Sequence, residues 1–320
     1  MGSEPFLVHP VKNASDLIDL LRPTNILWAG QNENWGFRGQ SNAKWHLVPR
    51  ALRKDWQSCL PFKMQSSFSN LMKRQIDNEC KAFLRFFELA DEIGHDIPGA
   101  SFVRSQKFEQ LLYSFSENWP FEEIIGGLAI AQHHGIPTRL LDFTHSGFVA
   151  AYFAASDTIA NMEKGKPADQ FSVWAVNLDF IKHAWGYWLQ RRLKIVEVPL
   201  ARNPFLRAQR GFFIYDSRVF SQFASEIDFT IEEIKPLDEV ICTHAEGEGA
   251  WHNLNDIGIS CIPPIMRRFD VQLGEADKLL SLLYEAERIS KAHLMPTLDN
   301  VSATLKFMDQ VSEKAFSTDL

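Results

Sequence analysis

Apolar residues recur at helical spacing through the first half of the chain, and strand-like runs dominate the second. Residues 14–22 read as a short helix, capped by Ser15 or Asp16 and stopped before Pro23. Residues 35–40 read as a short strand running into a glycine turn. From about 65 to 92, Ile76, Cys80, Phe83, Leu84 and Phe87 recur every three or four residues among charged neighbours, which predicts an amphipathic helix. A second helix is expected over 121–134. Residues 147–156 are apolar on nearly every side, which predicts a central, buried helix. Later, 171–178, 211–215 and 239–243 are short β-rich runs bounded by turn or charged residues. A last amphipathic helix is expected over 275–293, with Leu279, Leu283, Ala286 and Ile289 on one face. Beyond Ser302 the pattern is weak, and the tail is expected to fray. Helices early and strands late give an α+β class rather than a doubly wound sheet.

The 320 residues suffice for one large domain or two small ones, and no repeat or low-complexity linker marks a boundary. A hydrophobic share of 45%, with 25 Phe and 9 Trp, supplies enough apolar surface for a packed core and excludes wholesale disorder. With 33 basic against 40 acidic residues the net charge is −7, which argues against a protein that coats DNA but leaves room for a local basic groove. No run approaches the roughly 18 apolar residues a membrane span needs. The first thirteen residues have neither a basic start nor an apolar core, so no secretory leader is expected. Cys59, Cys80, Cys242 and Cys261 lie far apart, without CxxC pairs or zinc-ligand spacing, and read as reduced, mostly buried thiols. A cytoplasmic protein without membrane attachment is the expectation.

Three segments carry candidate chemistry. In Trp35-Gly36-Phe37-Arg38-Gly39-Gln40, followed by Trp45 and Arg50, an arginine sits between an aromatic residue and a glycine. Gly39 allows close backbone approach, and the planar guanidinium of Arg38 suits a phosphate or carboxylate. An arginine paired to a structural carboxylate fits the same pattern. The second segment, 128–146, is the densest: Gln132, His134, Thr138, Arg139, Asp142, Thr144 and Ser146 are interleaved with residues that read as buried. Thr144 or Ser146 can cap the following helix, and a capped helix N-terminus beside polar side chains favours anions. The adjacent His133 and His134 face different ways and no carboxylate follows at ligand spacing, so no metal is expected. The third segment, 202–213, places Gln209 before a glycine and an aromatic strand, with Arg207 and Arg210 on either side; a solvated basic loop fits it equally. GxGxxG and GxxxxGK[ST] are absent, so neither a Rossmann nor a P-loop signature is present.

Taken in order, Phe37-Arg38-Gly39-Gln40 with Trp45, then 132–144, then 207–212, resemble the FRG domain family, which is named for its first triplet. The resemblance spans about residues 15–265, with a helical insertion at about 65–128 packed beside the β core and a helical extension at 266–320. Residues 258–265 resemble the closing segment of the family only loosely. A weaker similarity is to ADP-ribosyltransferases of the Arg-Ser-Glu type, which implies a mixed or antiparallel β core and NAD as substrate. On that similarity Arg38 holds the phosphate and ribose side, Thr144 and Ser146 support the nicotinamide ribose, and Gln209 stands where a glutamate is expected. Phe37, Gly39, Gln40, His134, Thr138 and Arg139 complete the expected nucleotide site. Breaking the bond to nicotinamide leaves positive charge on the ribose, which a carboxylate stabilises and Gln209 cannot. Asp142, or Glu226 brought in by the fold, would supply that charge. The resemblance therefore implies an NAD-dependent transferase acting on a protein, RNA or DNA acceptor, as a toxin or phage-defence effector with an antitoxin partner. A non-catalytic nucleotide-sensing or partner-binding module and an NAD glycohydrolase are the alternatives.

Overall fold

One mixed sheet of seven strands organises the molecule, in the order β1-β7-β4-β2-β3-β6-β5. The strands are β1 (Phe6–Val11), β2 (Trp35–Gln40), β3 (Leu141–Thr144), β4 (Gln170–Asn177), β5 (Leu193–Val196), β6 (Gly211–Asp216) and β7 (Met266–Gln272). The computed structural model describes residues 5–28, 34–60, 62–63, 66–67, 71–113, 119–183, 192–197, 204–217, 234–246 and 264–317. β1 pairs parallel with β7, and every other neighbour is antiparallel. The class is α+β, with the helices packed on both faces of this sheet.

Period-two alternation assigns the two faces. Phe37, Val173, Ala175, Phe269 and Val271 look toward α1 (Ala14–Leu21), α6 (Gly147–Glu163) and a late helix, α10 (Ala276–Glu287). Trp174, Val176, Phe212, Ile214 and Met266 look the other way, toward α7 (Leu178–His183) and α9 (Leu237–Ala245). β6 serves two clusters: Phe212 and Ile214 join the second, while Phe213 and Tyr215 join a third built on α2 (Leu71–Glu92) and α5 (Ile125–His133). The helices between β2 and β3 thus share a core with the sheet. Between them lie α3 (Ala100–Val103) and α4 (Gln106–Tyr113), and α8 (Pro204–Ala208) precedes β6.

Several expectations are corrected by the structure. Residues 239–243 are helical, inside α9, because Pro236 opens the turn and Asp238 and Glu239 occupy its first turn, where acidic groups favour the helix dipole. The cap of α1 is Asn13, whose side chain accepts from Asp16 N–H (2.9 Å), and not Ser15 or Asp16. The helix expected over 275–293 breaks at Arg288, which is left-handed (φ 55°), and Ile289 N–H closes back on Leu283 O at 3.1 Å. A short α11 (Lys291–Leu294) follows, and the tail forms α12 (Leu298–Ser317). Residues 66 and 67 lie outside the helix expected to begin near 65, and α6 runs seven residues past Ser156 to Glu163. β7 lies inside the sheet between β1 and β4, so a boundary at 265 would cut the core rather than release a helical extension. Arg202, Asn203, Glu226, Cys261 and residues 258–263 fall outside the described residues.

Candidate functional site

β2 and β3 are registered at one residue pair only, Phe37 with Thr144. Beyond it β2 leans onto α6, because Gly39 presents no side chain to that helix, and the ladder opens. Arg38 crosses the opening: its Nη1 donates to the Asp142 carbonyl (2.7 Å) and stands 3.6 Å from Asp142 Oδ2. Its side chain is only 16% exposed, and its Nε is buried without a hydrogen-bond partner. Asp142 faces outward, with 62% of its side chain exposed, and its Oδ1 accepts from Gln132 Nε2 at 2.6 Å. Thr138 Oγ1 donates in turn to Gln132 Oε1. A cavity of about 240 Å³ fills the opening, lined by Phe37, Arg38, Gly39, Asp142, Thr144 and Gln209, together with His133, Phe153, Asp157 and Met295.

The remaining expected residues divide. Ser146 caps α6, accepting from Val149 N–H (3.4 Å), and lines a neighbouring groove of about 760 Å³ with Trp28, Trp35, His145 and Arg210; Phe37 is shared between groove and cavity. Thr144 Oγ1 accepts from Ser146 N–H (3.0 Å) and donates to Gln209 O (2.7 Å), tying β3 to the third segment. Gln209 turns its amide toward α11, where Nε2 donates to Leu294 O at 3.2 Å. Gln40 is buried, accepting from Trp174 Nε1 and donating to His46 O, away from the cavity. Arg139 is 2% exposed and held by Glu79 through two contacts of 2.8 and 2.9 Å, so it is a core residue rather than a ligand contact. His134 stacks on Phe86 and lines a separate, largely apolar cavity of about 480 Å³.

Phe153, Asp157 and Met295 were not singled out by the sequence, and His133 was weighed there only as a metal ligand. Asp157 lies one residue beyond the helix as the pattern ended it, four after Phe153, so extending α6 by one turn would have found it. Met295 carries no local signal; the fold delivers it from the far end of the chain. At Asp157 burial against the cavity wall pushes the carboxyl above its ordinary value, while Arg38 and Lys164 pull it back. At His133 burial, then the neighbouring His134, lowers the imidazole, and Asp142 opposes them. Among the described residues no group of three or more His, Cys, Asp or Glu side chains forms a metal site, and no helix is long and apolar enough to cross a membrane.

His9, His133, His145 and His244 all titrate below the ordinary 6.5, in each case first because burial disfavours the charged ring. A histidine depressed in the folded state binds fewer protons there than in the unfolded chain. Its contribution is therefore complete above the unfolded value and is lost as pH falls through the folded one. The urea midpoint is expected to drop between about pH 7 and pH 5. His145 stacks on Phe212 at 4.5 Å, so His145→Phe keeps a ring there and removes one titrating group. A shallower pH dependence in that variant checks the assignment; an unchanged one refutes it for His145.

No curated protein and no solved structure matches the chain. The family model described as FRG domain does match, over residues 33–163, from just before β2 to the end of α6. That span contains both strands of the open seam, Arg38 and Asp142, the helices inserted between them and the capped helix behind. The 207–212 segment lies outside it. Residues 33–163 match the FRG domain model, and two of the three motifs that line the cavity fall within that match, while Gln209 comes from beyond it.

Proposed function

We propose that the cavity between β2 and β3 binds NAD and that the protein transfers the ADP-ribose unit to a macromolecular acceptor. The observation that carries this reading is the meeting of Arg38 and Asp142 across the open seam, with the Arg38 Nε buried and unpartnered and the Asp142 carboxylate open to the cavity. A guanidinium with a spare donor is suited to a phosphate oxygen. A carboxylate facing the same space is suited to the positive charge that grows on the ribose as the bond to nicotinamide breaks. At about 240 Å³ the cavity is smaller than the roughly 300–1,000 Å³ typical of whole ligands. It fits the nicotinamide ribose half, and the adjoining groove fits the rest of the dinucleotide, with the half-buried Trp28 as a stacking surface and the capped N-terminus of α6 for phosphate. An enzyme of this kind would serve as a toxin or phage-defence effector, held in check by an antitoxin.

One observation favours a second reading. Gln209, where a glutamate is expected, spends its amide on Leu294 O, and Asp142 already accepts from Gln132. A module that binds the nucleotide without cleaving it would look the same. Incubation with NAD labelled in the ADP-ribose half separates the readings. A transferase labels a protein, RNA or DNA fraction; a glycohydrolase releases free ADP-ribose and nicotinamide; a module does neither. For the transferase, Asp142→Asn is expected to slow turnover about 10²–10³-fold with folding intact, and Gln209→Ala by no more than about 10². Arg38→Lys keeps the charge but not the fork and is expected to abolish NAD binding. NAD binding by the parent without any cleavage decides for the module.

A further inference from the structure

The chain beyond β2 folds back along the seam. Ala51 N–H donates to Thr138 O (3.1 Å) and Gln75 Nε2 donates to Ala51 O (2.7 Å), which pins the short turn Arg50–Leu52 beside the start of β3. Arg50 stands on this turn and Arg53 directly after it. Arg53 feels burial first, then the like charges of Arg38 and Arg50, all of which lower it, with Asp55 and Cys59 opposing. Among the described residues neither Arg50 nor Arg53 forms an ion pair, and Arg50 is exposed. Arg53 lies over the Trp45 ring, 5.9 Å from its centroid, and donates Nε to Val48 O. Trp45 itself remains 45% exposed. In a chain of net charge −7, two guanidinium groups without an ion pair beside an exposed indole make a site for an external anion.

We propose that this rim is where the acceptor docks, and that the acceptor is a single-stranded nucleic acid; the inference rests on reading the Arg38 cavity as the ADP-ribosyl transfer site. The positions dictate the approach. The large groove assigned to the rest of NAD adjoins the Thr144 end of the seam, while the turn that carries Arg50 is bonded to Thr138 at the other end and leads on to Arg53, which lies over Trp45. Guanidinium forks take backbone phosphates, and an open indole face takes a splayed base, the pairing by which single strands are held. In the transfer, the bond from ribose C1′ to nicotinamide breaks and its electron pair leaves on the nicotinamide nitrogen. A lone pair on a base nitrogen or hydroxyl of the strand forms the new bond to C1′, and the proton it sheds passes to the Asp142 carboxylate.

Fluorescence anisotropy of the full chain with labelled RNA and DNA strands of about 20 nucleotides, and with a duplex of the same sequence, tests the inference. Saturable binding of either single strand, tighter than duplex, is expected, and the two arms show which sugar is preferred. Arg50→Glu with Arg53→Glu is expected to weaken binding at least about 30-fold and to make the salt slope shallower by about 1.4, for two phosphates at roughly 0.7 each. Trp45→Ala is expected to cost about tenfold. Arg50 is exposed, so Arg50→Glu alone guards against a misfolded double variant. NAD affinity, measured separately by calorimetry, should be unchanged in Arg50→Glu and in Trp45→Ala. A parent that binds strands through this rim but not NAD overturns the transferase reading and leaves the docking surface standing. The docking inference is overturned by no strand binding, by duplex bound as tightly as single strand, by unaltered affinity in the Arg50/Arg53 variant, or by labelling of protein that continues undiminished in it.

Discussion

Glu79→Ala is expected to destabilise the protein by about 3–5 kcal/mol, the range for breaking one side of a buried charge pair. Glu79 is 4% exposed on α2. It accepts from Arg139 Nε and Nη2, from Trp119 Nε1 (3.0 Å) and from Gln75 Nε2 (2.9 Å), while Arg139 Nη1 donates to Trp119 O (3.1 Å). Removing the carboxylate takes the partner from a buried guanidinium and from two further donors, Trp119 Nε1 and Gln75 Nε2, at once. The penalty reflects that orphaned charge rather than the net worth of the pair, so Glu79→Leu with Arg139→Met should recover most of the loss. Urea unfolding checks both, as a lower midpoint at unchanged slope for the single variant and a near-parental one for the pair. A single variant that loses less than about 1 kcal/mol would show that water or a rearranged partner reaches Arg139. The damage should reach the candidate site, because Arg139 stands next to Thr138, which steadies Gln132 and through it Asp142.

Arg139 also shows where sequence reading runs short. Within 128–146 it looked like a ligand arginine, since local pattern cannot say which of several polar side chains turns inward. Its partner, Glu79, lies 60 residues earlier on an amphipathic helix whose polar positions read as solvated. Gln40 failed as a site residue for the same reason: Trp174, 134 residues away, claims its carbonyl. By contrast Phe37, Arg38, Gly39, Asp142, Thr144 and Gln209 line one cavity. Three separate motifs could be placed together because in their order they resemble the FRG family; taken singly, each also fitted a purely structural role.

The fold was legible where the pattern was long. β2, β4 and β6 lie within a residue or so of where the pattern puts them, whereas α2 starts at Leu71 rather than near 65 and α6 runs on to Glu163 rather than ending at Ser156. The errors share a cause. Glu239–Thr243 is β-branched enough to mimic a strand, and the decisive signals, Pro236 with two acidic residues in the first turn, lie at its edge. The left-handed Arg288 that splits the late helix carries no glycine or asparagine to announce it. The part of α12 beyond Ser302 was expected to fray because its pattern is weak; there Leu305 is exposed, while Thr304 and Phe307 pack inward.

Gly39→Ala is expected to cost about 3 kcal/mol or more, at the upper end for overpacking, and Gly39→Val more still. A Cβ at this position would lie 2.1 Å from Ala150 O, 2.6 Å from Ala154 N and 3.0 Å from Ala154 Cβ. Two of those atoms belong to the backbone of α6, which cannot move aside as a side-chain tip can. The helix sits behind the seam and is itself packed against Leu21, Val173 and Leu279, so relief must come from β2. Shifting β2 away from α6 carries Arg38 with it, and the 2.7 Å bond to the Asp142 carbonyl is lost. On the proposed reading, the variant should therefore lose NAD binding even in the fraction that remains folded, as well as unfolding at lower urea. Gly274, where nothing lies within 4 Å, is the control: Gly274→Ala should stay within about 0.5 kcal/mol of the parent. A Gly39→Ala protein that unfolds with the parent would mean that β2 and α6 are not in direct backbone contact. The account of how the seam opens beside Arg38 would then have to be abandoned.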